Sequence, residues 1–589
     1  MSLARTVVSR RERVLLVIAT VAVAFAAADT YVVVLALPEM MGSAGIPIDQ
    51  LQRAAPIISG FLLGYVAMLP LIGRIADLRG RVPVLSAALV VFAIGSAVTA
   101  LAYDLPSMVT GRFLQGVGGG GLVPATLALV ADLYPADRRG VPLGVVSAVQ
   151  ELGSVIGPLF GAVVLAVATW RGIFGINLVV GLLLAAGLWW WGRSPPDAAD
   201  GARAPGRWPD PVGVLLVLLT SCSVVLVMVQ PASLVLDVTW GELFLPVLTD
   251  SRWLAPSGLV AILAGVLLVV RCASAVRPLV DLRAWSRSLR DADLTGALLL
   301  AVALGGVILA FATADPQIQV FSEQGVWYLV GAGVAAVAFV VHLRRSPAPL
   351  VPRGALRRTP AWGSVLISFF IGSALIAALI DIPLFARTTT YRDSQLMAAL
   401  VLVRFLVALP VGAVLGGLLT RTVGAGVITA AGMLLAAYGF LMMSRWDADS
   451  LSGPGSTLTL VVCGFGFGLA LAPVNAAVLA TTDASVHGLA SALVVVARMV
   501  GMLVGISALT TIGLRRFYAE QAELGTVLQE CGQPEMCERY RDLQLAAGIT
   551  LEQTVFLGAV VCALAAAVLA LVLFRGAPTR SADTRLSVG

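Results

Sequence analysis

Apolar runs of about twenty residues recur along the whole chain, separated by short polar loops. That is the length an α-helix needs to cross a hydrocarbon core about 30 Å thick. Sixteen runs qualify, at approximately 14–37, 54–73, 83–102, 108–133, 141–167, 170–192, 211–231, 256–272, 293–313, 326–342, 361–384, 395–420, 425–443, 457–480, 488–514 and 551–574. The first follows Arg5, Arg10, Arg11 and Arg13. It continues through Asp29 to Leu37 and many spans follow, so it reads as a span and not a cleaved leader.

The polar positions between the runs test this count. With the amino terminus inside, the inner loops carry Arg79 and Arg81, Arg138 and Arg139, Arg193, Arg203 and Arg207, Arg277 to Arg290, and Arg344 to Arg358. Most outer loops are arginine-poor and carry Glu39, Asp49, Asp104, Asp237, Glu242, Asp315, Glu323 and Asp447. This positive-inside pattern predicts a multi-pass protein of the plasma membrane with both termini cytoplasmic. Removing one span would invert every later loop, so the number should be even.

Two outer stretches depart from the pattern. Residues 386–394 hold Arg387, Arg392 and three successive threonines, and fit either a short hairpin of β-branched residues or a solvated loop. In 515–550, helical pattern that starts near Gly488 continues to about Gln529, roughly 60 Å at 1.5 Å per residue. Such a helix should project well outside. Cys531 and Cys537 lie at its turn, where an oxidising exterior permits a disulfide; two free thiols are the alternative.

Composition narrows the class. Of 589 residues, 59% are hydrophobic and 12% charged, with mean hydropathy +0.95. Soluble proteins carry about 25% charged residues. The formal charge is +6, but the 39 basic residues are dispersed and no basic patch is interleaved with aromatics, which argues against nucleic acid as a partner. All 39 are arginine. A phosphate-binding Walker loop needs lysine, so Gly118 to Gly121 reads instead as a place where helices approach closely. No zinc-type histidine motif or nucleophile elbow is present, so the chain reads as no enzyme and no metal site is assigned.

A repeat divides the chain. Gly140, Gly153 and Gly157 recur 348 residues later as Gly488, Gly501 and Gly505. Gly73 and Gly80 have an echo in Gly417 and Gly424. Two homologous halves with the substrate path between them are a common transporter plan.

Charges inside the spans mark the candidate chemistry. A carboxylate at bilayer depth costs roughly 2.5–3.5 kcal/mol on insertion scales, so it is normally paired, protonated or wet. Glu151 and Arg498 each lie about ten residues into their spans, about 15 Å deep. The repeat sets them on symmetry-related helices, where an ion pair across the cleft would form in one access state and break in the other; two separately solvated charges are the alternative. Asp29, mid-span with no arginine nearby in sequence, is the candidate proton carrier, against a fixed hydrogen-bonded carboxyl. Asp381 reads as interfacial, Arg404 has no assigned role, and His487 reads as a solvated turn residue.

The motifs resemble the major facilitator superfamily. Gly73-Arg74-Ile75-Ala76-Asp77-Leu78-Arg79-Gly80-Arg81 resembles its G-x-x-x-D-R-x-G-R loop, with Leu78 in place of the first arginine. Arg112 to Gly116 resembles R-x-x-Q-G, with Gln115, and Gly153, Gly157, Pro158 and Gly161 resemble the antiporter motif of exporters. Asp29-Thr30-Tyr31-Val32-Val33 and Trp170 to Asn177 are similar to signatures of the fourteen-span drug:proton antiporters. The strings around Asp29, Gln150-Glu151 and His487 to Met499 are similar to the family of mycobacterial triacylglyceride exporters that work with a periplasmic lipoprotein of the LprG type.

The resemblance implies an all-α polytopic fold. Two six-helix bundles with pseudo-two-fold symmetry would carry four linker or extra helices, sixteen spans in all. The predicted units are 1–192 for the first bundle, 193–292 for an inserted helix pair and linker, 293–360 for a linker pair, 361–574 for the second bundle and 575–589 for the tail. The pair at 211–272 has no counterpart in that family. Gly73, Asp77, Gly80 and Arg81 would form a cytoplasmic gate, and Arg112 would face the cavity. The implied function is proton-driven export of an apolar, triacylglyceride-like lipid by alternating access. It needs no cofactor beyond the proton gradient, and its partners are membrane lipids, a small apolar or amphiphilic substrate and an LprG-type lipoprotein. A multidrug:proton antiporter is the runner-up; a non-transporting scaffold or sensor would have little need for Asp29 or Glu151.

Overall fold

The computed structural model describes residues 9–46, 51–192, 210–247, 251–276, 278–312, 324–392, 394–523 and 538–579. All regular structure among the described residues is helical. Lipid offers no partner for backbone N–H and C=O groups, so a spanning segment must satisfy them internally. The long apolar runs therefore become long helices: α1 (Arg10–Ser43), α2 (Leu51–Arg79), α3 (Arg81–Ala100), α4 (Leu105–Leu133), α5 (Gly140–Val167) and α6 (Trp170–Gly192). Six more follow: α7 (Pro211–Val229), the short α8 (Ala232–Val235), α9 (Pro256–Ser274), α10 (Leu282–Asp291), α11 (Leu294–Ala312) and α12 (Gly325–Arg345). The last six are α13 (Thr359–Thr388), α14 (Gln395–Leu419), α15 (Ala425–Met443), α16 (Pro454–Thr481), α17 (His487–Glu523) and α18 (Glu538–Leu573).

Fifteen helices among the described residues are long and apolar enough to cross a membrane, against sixteen predicted. The predicted span outside that set is α5, which is nevertheless a 28-residue helix. Local chemistry fixes several ends. Ser9 and Glu12 form a capping box on α1, and Asp104 accepts the Ser107 amide at 2.9 Å to start α4. Gly80 turns α2 into α3 within one residue at φ +94°, a backbone state that side chains resist.

The helices assemble as α1–α6 and α13–α18, and the pairings repeat. The α1–α5, α2–α4, α3–α4 and α3–α6 contacts of the first bundle reappear as α13–α17, α14–α16, α15–α16 and α15–α18. Small residues set these crossings. A Cβ on Gly153 or Gly157 would strike the Ala24 or Ala28 carbonyl of α1. A Cβ on Gly501 or Gly505 would strike Phe369 or Ser373 of α13. The repeated glycines thus occupy equivalent crossings, which chance glycine matching would not produce. The Pro158 side chain lies outside the described ones.

The halves meet through α5 against α14 and α17 against α2. The first and last described residues, Ser9 and Thr579, and the Gly80 and Gly424 turns lie on one face, the near face; the Ala100–Leu105 loop and the facing ends of α17 and α18 lie on the far face. The helix pair α7 and α9, which has no assigned place in the sequence, packs on itself through a two-point Arg271–Asp210 contact at 3.0 Å each. It is tied to the first bundle at the far face by Trp253 Nε1 donating to the Tyr103 hydroxyl at 3.1 Å. At the near face, the Arg79 guanidinium lies 4.3 Å from the Trp285 ring of α10. Helix α11 lies along the α2–α17 seam.

Several expectations change. Residues 386–394 form no hairpin: α13 continues to Thr388, and Thr389 turns the chain by hydrogen-bonding the Phe385 carbonyl at 2.7 Å. Asp381 is 3% exposed and sits inside the second bundle, not at an interface with lipid headgroups. His487, also 3% exposed, is buried at the start of α17, where Nε2 is 3.2 Å from the Thr482 carbonyl. The long outer helices are present: α17 has 37 residues and α18 has 36, about 55 Å each at 1.5 Å per residue. Cys531 and Cys537 lie outside the described residues.

Candidate functional site

A cavity of about 320 Å³ lies between the halves, walled by α1, α2, α4 and α5 on one side and by α13 and α17 on the other. Its apolar wall includes Phe61, Leu62, Leu375, Leu379, Met499 and Met502. Among the described residues its charged lining groups are Arg112, Glu151 and Arg498.

Asp29 and Arg112 are joined at the edge of this space. Arg112 Nη1 donates to Asp29 Oδ2 at 2.7 Å, and both side chains are buried. Asn177 Nδ2, from α6, donates to the other carboxylate oxygen. Gln115 holds the arginine from one turn away: its Oε1 accepts from Nη1 at 3.0 Å while its Nε2 donates to Ser96 at 2.8 Å. The guanidinium also stands over the Phe61 ring at 4.4 Å. Arg112 therefore has two roles at once. It lines the cavity and ties α1 to α4. A sequence gap of 83 residues hid this partner of Asp29.

Glu151 and Arg498 face each other from opposite halves, with Oε1 and Nη1 3.9 Å apart. Opposite charges at about 4 Å attract by about 4 kcal/mol at an effective dielectric constant near 20. The separation is longer than a hydrogen bond, so the pair is held by charge more than by directed bonding.

At the near face the motif residues meet the other half. Gly73 and Gly488 pass so closely that a Cβ on either would come within 2.6 Å of the other's carbonyl oxygen. Gly140 and Gly417 make the equivalent approach between α5 and α14. Asp77 accepts the Gly488 and Leu489 amides at 2.8 and 3.0 Å, so a side chain of the first half caps a helix of the second. Arg81 pairs with Asp77 at 2.6 Å and Asp132 at 3.2 Å, and reaches the Ala484 carbonyl at 3.3 Å. Leu78, the departure from the motif, is 44% exposed; Arg79 beside it turns to α10. The cavity is closed from the near face. Losing a helix cap of this kind costs about 0.5–2 kcal/mol. Asp77→Ala should therefore shift the population toward near-face opening by about 2- to 30-fold. Labelling of a cysteine placed beside Gly488 should speed up accordingly, and an unchanged rate would remove Asp77 from the gate.

Two arrangements escaped the sequence. Asn177 completes the Asp29 site, but an uncharged amide in a span gives no distinct signal. Asp381 and Glu552 meet inside the second bundle; Glu552 stands at the very edge of its apolar run and passes for a headgroup-level residue. Arg404, without a motif, hydrogen-bonds Thr457 at 2.9 Å and links α14 to α16.

The sequence profile of the Major Facilitator Superfamily matches residues 19–506. A triacylglyceride transporter of Mycolicibacterium hassiacum is 35% identical over 507 residues, covering 84% of this chain and 78% of that protein. A triacylglyceride transporter of Mycobacteroides abscessus is 34% identical over 535 residues, covering 89% and 87%. In fold, the chain is similar to a proton:xylose symporter at TM-score 0.53 and 13% identity, covering 99% of this chain and all of that one.

Proposed function

The chain belongs to the major facilitator superfamily and is a multi-pass membrane transporter; from that premise we propose that it exports an apolar, triacylglyceride-like lipid across the plasma membrane, driven by the proton gradient. Both termini would be cytoplasmic, which makes the near face the cytoplasmic one and the closed state the outward-facing one. The arginine-rich loops of that face support this orientation.

The observation that carries the cargo is the cavity's charge balance. Its wall is apolar, Arg112 is matched by Asp29, and Glu151 faces Arg498. A lipophilic cation needs an unpaired carboxylate; this cavity lining supplies none, which favours a neutral lipid over the multidrug reading. The names of the relatives point to the same cargo.

In a working cycle Glu151 and Arg498 attract while the near face is closed and separate when it opens. Asp29 takes a proton when Arg112 turns to another partner, Gln115 being already in place to hold it. No covalent chemistry and no cofactor enter this cycle. A lipid-accepting lipoprotein of the LprG type is the implied partner on the far side, where α17 and α18 outrun a bilayer core of about 30 Å.

The test is transport by the full chain in proteoliposomes carrying a fluorescent triacylglyceride and an imposed pH gradient. Lipid movement that follows the gradient is expected. Movement of a lipophilic dye cation with no movement of the lipid would overturn the cargo and install the multidrug reading.

A further inference from the structure

We infer that Asp381 and Glu552 form a second proton-loading site, in the second bundle and apart from the central cavity. Asp381 lies on α13 and Glu552 on α18, two neighbouring helices, and their carboxyl groups are within hydrogen-bonding reach of each other. The side chains are nearly inaccessible, at 3% and 2% exposure. A hydrogen bond between two carboxyl groups needs one proton, because two carboxylates are both acceptors. The pair therefore carries a proton in the state described. Glu552 Oε2 is fully buried and no donor among the described residues reaches it, so one carboxyl oxygen of the pair is available to carry a proton itself.

The surroundings leave this proton without a competitor. The charged groups on the pair's own helices and on those packed against them are Arg404 on α14, Arg387 on α13, His487, Arg498, Arg515, Arg516, Glu520 and Glu523 on α17, and Glu538, Arg539, Arg541 and Asp542 on α18; α15 and α16 carry none. Arg404 is engaged with Thr457, Arg498 faces Glu151, and His487 lies at the other end of α17. Among the described residues no arginine lies within 4.0 Å of Asp381 or Glu552. The contrast with Asp29 is direct: there a guanidinium at 2.7 Å competes with any proton.

The far side comes within two helical turns of the pair. A pocket of about 400 Å³ opens among Arg387, Thr388, Arg392, Arg541, Gln544 and Gly548. Gly548 is one helical turn, about 6 Å, from Glu552, and Thr388 is two turns from Asp381 on the same face of α13. Trp446, in the α15–α16 connection, packs against Phe385 and Phe556 at 5.4 and 6.3 Å between ring centres, each phenylalanine being one turn along its helix from a carboxyl of the pair. Gln553 fixes it by donating to its carbonyl at 2.7 Å. The loading step makes one O–H bond on a carboxyl oxygen of the pair with a proton from far-side water, and takes the pair from charge −1 to 0. Release breaks that bond and returns the proton to water.

The inference rests on the proton-driven reading, and its experiment separates the two. Full-length wild type, Asp381→Asn, Glu552→Gln and the double variant are compared in proteoliposomes. Each substitution keeps a hydrogen-bonding group, and size-exclusion profiles check the fold. Two rates are measured with a fluorescent triacylglyceride: gradient-driven transport and lipid exchange without a gradient. Infrared spectra of the same preparations follow the C=O band of protonated carboxyls across pH. The expected result is a tenfold or greater loss of gradient-driven transport in the variants with exchange retained. A protonated-carboxyl band should persist at neutral pH in wild type and in Asp29→Asn, and be lost in the double variant. Variants that keep gradient-driven transport, or that lose both rates together, overturn the site while leaving proton drive intact. A wild type whose transport ignores the gradient overturns the proton-driven reading, and this site as a coupling element with it.

Discussion

Arg112→Ala is expected to destabilise the protein by about 3–5 kcal/mol, the usual consequence of stripping one partner from a buried ion pair. The loss leaves the Asp29 carboxylate with only the Asn177 amide, and it also opens a gap between the Phe61 and Phe174 rings, which flank the guanidinium at 4.4 and 5.7 Å. Gln115 loses the donor it is oriented to receive. Unfolding in detergent, followed by intrinsic fluorescence, measures the loss. Neutralising both partners, as Asp29→Asn with Arg112→Met, should recover most of it, because no charge is left stranded. A double variant as unstable as Arg112→Ala would assign the effect to packing and not to charge.

The second large effect is expected at the inter-half pair. Glu151→Arg places two guanidinium groups face to face and turns an attraction of about 4 kcal/mol into a repulsion of similar size. The halves should then favour separation, and transport should fall by more than tenfold. Arg498→Glu alone should do the same with two carboxylates. Combining the reversals restores an opposite-charge pair at the same place. Recovery of transport in the double reversal, assayed in proteoliposomes, is the expected result. Failure to recover any of it would show that position and not complementarity is what the site requires.

The plan of the molecule was legible in its sequence to an unusual degree, and for a physical reason. A bilayer removes water as a backbone partner, so apolar length alone fixes helix number and position. Loop arginines then give orientation. The repeat was legible because glycines at close crossings admit few replacements: Gly153 and Gly501 are each pressed against the helix that begins their own half. What stayed hidden were contacts made by side chains far apart in the chain. Asp29 shows no partner until α4 folds against it, and the reading of a lone acidic group changes to that of a matched pair. Asp381 was visible but read as interfacial, and Glu552 was hidden by its place at the mouth of a span. Neither residue signals the other, because they lie more than 160 residues apart in the chain and no motif joins them. The α7–α9 pair was legible as two spans, yet its attachment depends on Trp253 and Tyr103, two aromatic residues of unremarked loops.

The carboxylate that caps α17 gives the gate a character of its own. Asp77 belongs to one half and the amides of Gly488 and Leu489 to the other. When the halves part, the first amides of α17 lose their acceptor and water must take the carboxylate's place. Opening is then partly the uncapping of a helix, with Arg81 free to retain Asp77 in the meantime. The exchange of those two amide hydrogens with solvent thus becomes a turnstile counter: each opening exposes them once, whether or not cargo passes.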